Sequence, residues 1–273
     1  AAIALRCDTD DHTVPGHECN GFLTSALREL IRTHADFREV HHVDIEAPGA
    51  LEVVNVSPTI VEPAQVAHLL AYASQLPPGN RSPVRAQAMR LAVVLLYTAG
   101  LRRGELVRLT LGDVDVQAGV LRIRESKFHK SRWVPLSASA HTELQRYLVA
   151  RRQAGLDGRP AAPLLCTARS RAYSGGGMYS SLKHLLRSAS IHDGAGRCPR
   201  VQDFRHSFAV SALLRWYQAD ADVQSNLPKL ALYMGHVSIV STAYYLRWMP
   251  AVVSQASARF ARSCAGVIDG GAS

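Results

Sequence analysis

The sequence predicts a mainly α-helical fold with a small antiparallel β-sheet, an α+β architecture. Three observations lead there. Apolar residues recur at three- and four-residue spacing in windows on both sides of the chain's middle. Only between Asp113 and Leu136 does that spacing give way to short strand-like runs separated by turn residues. And 47% of the 273 residues are hydrophobic, enough for a packed core and too many for a disordered chain.

Taken in order, residues 1–20 are polar and patternless. Leu23, Ala26, Leu27, Leu30 and Ile31 give residues 22–34 one apolar helical face, and Val40–Ser57, with Pro48-Gly49, reads as an irregular linker. Pro58 to Pro63 opens a helix reaching about Ser74, which Pro77-Pro78-Gly79-Asn80 breaks. Residues 84–98 form a strongly apolar helix, with Gly100 at the position of a C-terminal cap, and a short helix then carries Glu105, Leu106 and Leu109. Val114–Val116, Val120–Arg124 and Arg132–Leu136 are the three strands, turning at Gln117-Ala118-Gly119 and at Lys127–Lys130. Helices follow over 138–152, about 178–189, 203–217, 227–233 and 241–247, with a loop at His192–Pro199 and a last helix at roughly 250–265. The implied organisation is a short acidic segment, 1–57, and one main domain, 58–273.

Charge follows the same division. Residues 1–60 hold 4 Lys+Arg against 10 Asp+Glu, while the remainder holds 27 against 12, and the whole chain carries +9. A basic surface after residue 60 suits a polyanionic partner, most simply nucleic acid. The five cysteines are odd in number, widely spaced and without a CxxC pair, which argues against a disulfide framework or zinc site and for a reducing compartment. No apolar run approaches the length of a membrane span, and the first residues are too short for a signal peptide. A chain beginning at Ala1 suggests processing or a fragment.

Several residues invite chemistry. Arg102 follows a helix stop and opens the next helix, where its planar fork and free backbone N–H groups suit a phosphate. Glu105, three residues on, shares that face and can hold the guanidinium. Arg205, near the start of an amphipathic helix, is a second phosphate clamp by the same logic, with His206 beside it in a more structural role. Each arginine, taken alone, is better explained by ordinary surface charge. Lys127, at the hairpin tip with Lys130 and Arg132 close behind, can reach and protonate a leaving oxygen, or can be a solvated turn lysine. His236 and Tyr245 are nine residues apart, so at about 100° per residue they face opposite ways on a straight helix. To address one phosphate they need a chain break near Val237-Ser238. Tyr245 alone is better explained as an amphipathic surface tyrosine, and Tyr244 competes with it as nucleophile.

In combination these segments resemble the tyrosine recombinases, also called phage integrases. The matching stretches are Gly100-Leu101-Arg102 with Glu105, Lys127 ahead of Val134-Pro135-Leu136, Gln202-Asp203-Phe204-Arg205-His206, Gly235-His236, and Tyr245. Five segments in the family's order and spacing, over roughly residues 58–260, outweigh the separate ordinary explanations. The resemblance implies the fold of that family's catalytic domain. It also implies a site in which Tyr245 attacks the scissile phosphate to give a 3′-phosphotyrosyl bond and a free 5′-hydroxyl. Arg102 and Arg205 would stabilise the pentacoordinate state, Lys127 would be the general acid, His236 would hydrogen-bond the phosphate, and Glu105 would support. No cofactor, metal or small-molecule substrate is implied. The implied partner is double-stranded DNA, in a tetramer joined through the C-terminal helix, for which packing back on its own domain is an equal alternative, and the implied location is cytoplasmic, at a bacterial-type nucleoid.

Two positions depart from the family. Its box opens on histidine, sometimes lysine, where this chain has Gln202, which can donate a hydrogen bond but cannot take a proton near neutrality. The helical N-terminal domain usual in the family corresponds here to an acidic segment with one clear helix, read as truncated or divergent. These features keep open a catalytically impaired DNA-binding protein from a decayed mobile element. A type IB topoisomerase-like enzyme fits the motifs less well.

Overall fold

The structure is a computed structural model, and it describes residues 58–79, 82–124, 131–235 and 254–258. All belong to the second of two units into which the chain divides, Ala1–Ser57 and Pro58–Ser273. The element order is α1 (Pro63–Ser74), α2 (Arg85–Thr98), α3 (Arg103–Arg108), a 3-10 turn (Leu111–Asp113), β1 (Val114–Asp115), β2 (Val120–Ile123), β3 (Arg132–Pro135), α4 (Ala138–Gln153), α5 (Gly175–Ser188), α6 (Asp203–Gln218) and α7 (Val223–Met234). The mainly helical fold with one three-stranded antiparallel sheet is therefore the one the sequence predicts.

Helix α2 is the axis of the core. Ala88, Met89 and every residue from Leu91 to Leu96 are buried, so it is covered on nearly all sides rather than along one stripe. Helices α1, α4, α5 and α6 supply the cover. Truncating Leu91 or Leu95 to alanine would cost about 2–5 kcal/mol, the usual range for a cavity in such a setting. A second apolar cluster joins α6 to α7 through Val210, Leu213, Leu227, Leu230 and Met234.

The sheet runs β1–β2–β3 with Leu121 opposite Val134 and Ile123 opposite Arg132. Leu121, Ile123 and Val134 face the core, while Arg122 and Trp133 pair on the outer face, the guanidinium 5.8 Å from the indole centroid. The β1–β2 turn is closed by Asp115, whose Oδ1 accepts from the backbone N–H groups of Gln117 and Ala118. That acceptance ends β1 at Asp115, one residue before the predicted limit.

Two helices begin earlier than their sequence suggests. Helix α5 starts at Gly175, not near 178, because Ser174 accepts from Gly177 N and so caps a turn made of three glycines. Helix α7 starts at Val223, not 227. Asp222 caps it by accepting from Ser225 N, and Pro228 sits inside it. The expected helices at 22–34 and 241–247, and the turn at Lys127–Lys130, lie outside the described residues. Of the expected helix at about 250–265, residues 254–258 are helical and the rest lie outside the described residues.

Candidate functional site

Two glycines at helix ends shape the site. Helix α2 ends at Thr98 with Ala99 as its cap, and Gly100 turns the chain with φ of +59°. A β-carbon there would come within 2.5 Å of the Phe208 ring on α6. Helix α7 ends at Met234, capped by Gly235, φ +67°, whose N–H closes the last turn onto Leu232 O. Left-handed backbone is cheap only for glycine, and both turns aim carbonyl oxygens inward.

Arg102 occupies the N-cap position of α3 in extended conformation. Its Nη1 donates to Glu105 Oε1 at 2.9 Å and its Nη2 to Gly235 O at 3.0 Å, so one side chain spans from α3 to the end of α7. The Arg102 backbone N–H also donates, to Glu105 Oε2 at 2.9 Å. The Arg–Glu pairing expected from their three-residue spacing is thus formed, but Glu105 is buried, not solvated.

Arg205 lies in the first turn of α6 and is only 2% exposed. It donates through Nη1 to Gly100 O and through Nη2 to Met234 O. Residues 103 positions apart in sequence, Arg102 and Arg205, therefore converge between the same two glycine turns. The amide of Arg205 bonds Gln202 O, and Gln202 holds the position just before α6 with no capping bond from its side chain. Below it, Arg200 grips the buried Asp203 through Nη2–Oδ1 at 2.9 Å, which fixes the start of the helix. Ser207 Oγ adds a second tie, donating to Asp203 O and accepting from Val61 N. Burial pushes the His206 imidazole down to about 4, with Arg200 and Arg205 adding to it and Asp203 opposing, so the ring is neutral near pH 7.

A third guanidinium completes the cluster, and the motifs did not single it out. Arg132 on β3 donates from Nη1 and Nη2 to the two oxygens of Glu105, both at 2.9 Å, and from Nε to Tyr233 O at 2.7 Å. Its signal in the sequence was register: Arg132 and Val134 share one face of a strand, so a charge stands where a core residue is expected. Glu105 consequently accepts four hydrogen bonds. Burial raises its pKa, but the bonds and charge of Arg132, the charge of Arg205 and the Arg102 N–H outweigh that and hold it at about 2.

The arrangement is a cluster of three guanidiniums around one carboxylate, charge-rich enough to accept an added dianionic oxygen group. Lys127, His236 and Tyr245 lie outside the described residues. Helix α7 ends at Met234, with Gly235 as its left-handed cap. Among the described residues no group of His, Cys, Asp and Glu could hold a metal ion, and no helix is long and apolar enough to cross a membrane.

Known proteins resemble this chain in sequence and in fold. The family model described as the phage integrase family matches residues 60–250. A Sinorhizobium fredii protein named integrase/recombinase y4rE is 35% identical over 215 residues, covering 79% of this chain and 66% of the relative. Tyrosine recombinase XerD of Ralstonia nicotianae is 32% identical over 156 residues, 57% of this chain and 47% of that one. The chain thus spans just under two-thirds, or less, of the length of these relatives. Among solved structures, the XerA recombinase superposes with a TM-score of 0.59 at 20% identity, covering 79% of this chain and 70% of the other. The Tn1549 transposon integrase in complex with transposon right end DNA also gives 0.59, at 18% identity, over 89% of this chain and 78% of the other. At such identities the likeness is one of fold.

Proposed function

Because the chain belongs to the phage integrase family, we propose that it cleaves and rejoins double-stranded DNA at specific sites through a 3′-phosphotyrosyl intermediate. The observation that carries this reading is the meeting of Arg102 and Arg205 between the Gly100 and Gly235 turns. In the reaction the Tyr245 oxygen, its phenolic proton passing to water, attacks phosphorus, the bond from phosphorus to the 5′ oxygen breaks, and Lys127 gives its proton to that oxygen. Arg102 and Arg205 hold the non-bridging oxygens as charge accumulates on them, and His236 adds a hydrogen bond. Rejoining is the reverse, with a new 5′-hydroxyl attacking the phosphotyrosine and Tyr245 leaving. Glu105 keeps Arg102 in place, and His206, neutral and adjacent to Arg205, has a packing role. The assembly on DNA is a tetramer linked by the helix expected at about 250–265, and the acidic residues 1–57 form a short segment ahead of the catalytic domain.

A second reading, DNA binding with little cleavage, is favoured by Gln202, which cannot act as a base. One experiment separates them. The protein is mixed with a randomised library of nicked duplexes, in which cleavage releases a short fragment and traps the adduct, and covalent complexes are recovered under denaturing conditions. An adduct that disappears in Tyr245→Phe supports the cleavage reading. DNA retained by native filter binding with no adduct at any sequence supports the second.

A further inference from the structure

Arg132 touches nothing expected to react, yet its guanidinium makes three directed contacts, against two for that of Arg102. Its side chain is 9% exposed, against 22% for Arg102. Five N–H donors are available to a guanidinium, and Arg132 commits one from each nitrogen: Nη1 and Nη2 to Glu105 and Nε to the Tyr233 carbonyl. Those contacts join three separate elements. Glu105 is the residue that holds Arg102 on α3, Tyr233 is two residues before Gly235 at the end of α7, and Arg132 itself opens β3. The fit is close, since a β-carbon on Gly235 would sit 2.9 Å from Arg132 Nη1. Tyr233 is further fixed by stacking on Phe208, ring centroids 5.4 Å apart, and Phe208 in turn fills the space against Gly100.

We infer that Arg132 is a positioning residue for strand cleavage: by clamping Glu105 and the Tyr233 carbonyl together, it sets Arg102 and the Gly235 turn at the spacing the phosphate requires. This rests on the reading of the site given above. The division of labour follows from the contacts. Glu105 carries one negative charge and faces Arg102 at the start of α3, Arg132 on β3 and Arg205 on α6. Arg132 takes the two-pronged share of that carboxylate, so Arg102 gives it only one guanidinium N–H and keeps others for a ligand. Without Arg132, Glu105 has only Arg102 to bond through its side chain, and draws it away from the phosphate.

The test measures single-turnover cleavage at saturating DNA, DNA affinity and thermal unfolding for the full chain and its Arg132→Gln, Arg132→Lys and Arg90→Gln forms. A displacement of reacting groups by about an ångström costs about 100-fold in rate. Arg132→Gln is expected to slow adduct formation by that factor with little change in affinity. Arg132→Lys restores only part of the rate, because an ammonium cannot bridge both Glu105 oxygens and the carbonyl. Arg132→Gln also leaves Glu105 buried without its main counter-charge, so the slowed rate falls further as pH drops, and adding Glu105→Gln removes that fall. A wild-type rate in folded Arg132→Gln overturns the inference. So does a loss equal to that of Arg90→Gln and flat with pH, the behaviour of a purely structural arginine. If Arg132→Gln does not fold, Arg132→Lys carries the same comparison. If wild type forms no adduct, the cleavage reading fails first. The clamp is then decided by carboxyl NMR: Glu105 titrating no higher in Arg132→Lys than in wild type refutes it, and a raised titration sustains it.

Discussion

Glu105 and Glu143 sit in networks built from the same parts, a buried carboxylate between two arginines, and only one of them has the makings of a phosphate site. Arg90 meets Glu143 through Nε at 2.7 Å and Nη2 at 3.0 Å, then spends Nη1 on Leu70 O and Ser74 Oγ. Its partner Arg146 stands 3.6 Å off and is 69% exposed. The result ties α1, α2 and α4 together and commits four of the five guanidinium N–H groups of Arg90 to the protein. Around Glu105 the closed role falls to Arg132, Arg102 stays partly open, and Arg205 adds a third guanidinium held by the Gly100 and Met234 carbonyls. An Arg–Glu–Arg group is therefore ordinary packing until a surplus of guanidinium is framed by carbonyls from left-handed turns.

Substitutions in the two networks should part company. In the proposed reaction Arg205→Ala removes a donor to the developing charge, and rates should fall about 10³-fold, the upper end for losing one such donor. It also strands two buried carbonyls, at about 1–3 kcal/mol each, so unfolding must be measured beside cleavage. Arg90→Ala should cost about 2 kcal/mol of stability and leave the cleavage rate of the folded protein unchanged. Equal rates for the two variants would dissolve the distinction. Next in size, Gln202→His should raise the rate by about 100-fold if a general base is what the site lacks. An unchanged rate would show that this position does not limit cleavage.

Smaller effects sharpen the boundary. Gly235→Ala should cost about 1–2 kcal/mol for left-handed backbone alone. It also pushes on Arg132, so cleavage should drop by more than that stability loss explains. Acid denaturation should show two distinct steps. His206 has a folded pKa of about 4, below its ordinary 6.5, so the unfolded chain takes up the proton first. Its contribution to stability is whole above 6.5 and erodes as pH falls to 4. Glu105, depressed from 4.5 to about 2, contributes fully above 4.5 and loses that contribution as pH falls through 2. His206→Asn should flatten the first step only, read by urea unfolding at a series of pH values.

Much of this was legible in the sequence because it depends on local rules. The apolar helix at 84–98, the stop at Gly100, the Arg102–Glu105 spacing and the three strands follow from periodicity, glycine and turn chemistry. Helix starts at Gly175 and Val223 were not legible, since a glycine run and an internal proline argue against helix until the capping side chains of Ser174 and Asp222 are placed. Arg132 was the larger omission from the site. Its face on β3 was readable, but its reach to Glu105 and to the Tyr233 carbonyl depends on contacts 27 and 101 residues apart. Sequence spacing shows which residues share an element; it does not show which elements meet.

The most direct test of the central claim is the single-turnover rate of covalent adduct formation for Arg102→Ala beside Arg90→Ala, on the same nicked duplex, at a temperature where both remain folded. The account predicts an adduct from Arg90→Ala at the wild-type rate and a loss of about 100-fold or more from Arg102→Ala. Matching rates for the two, in either direction, would contradict it.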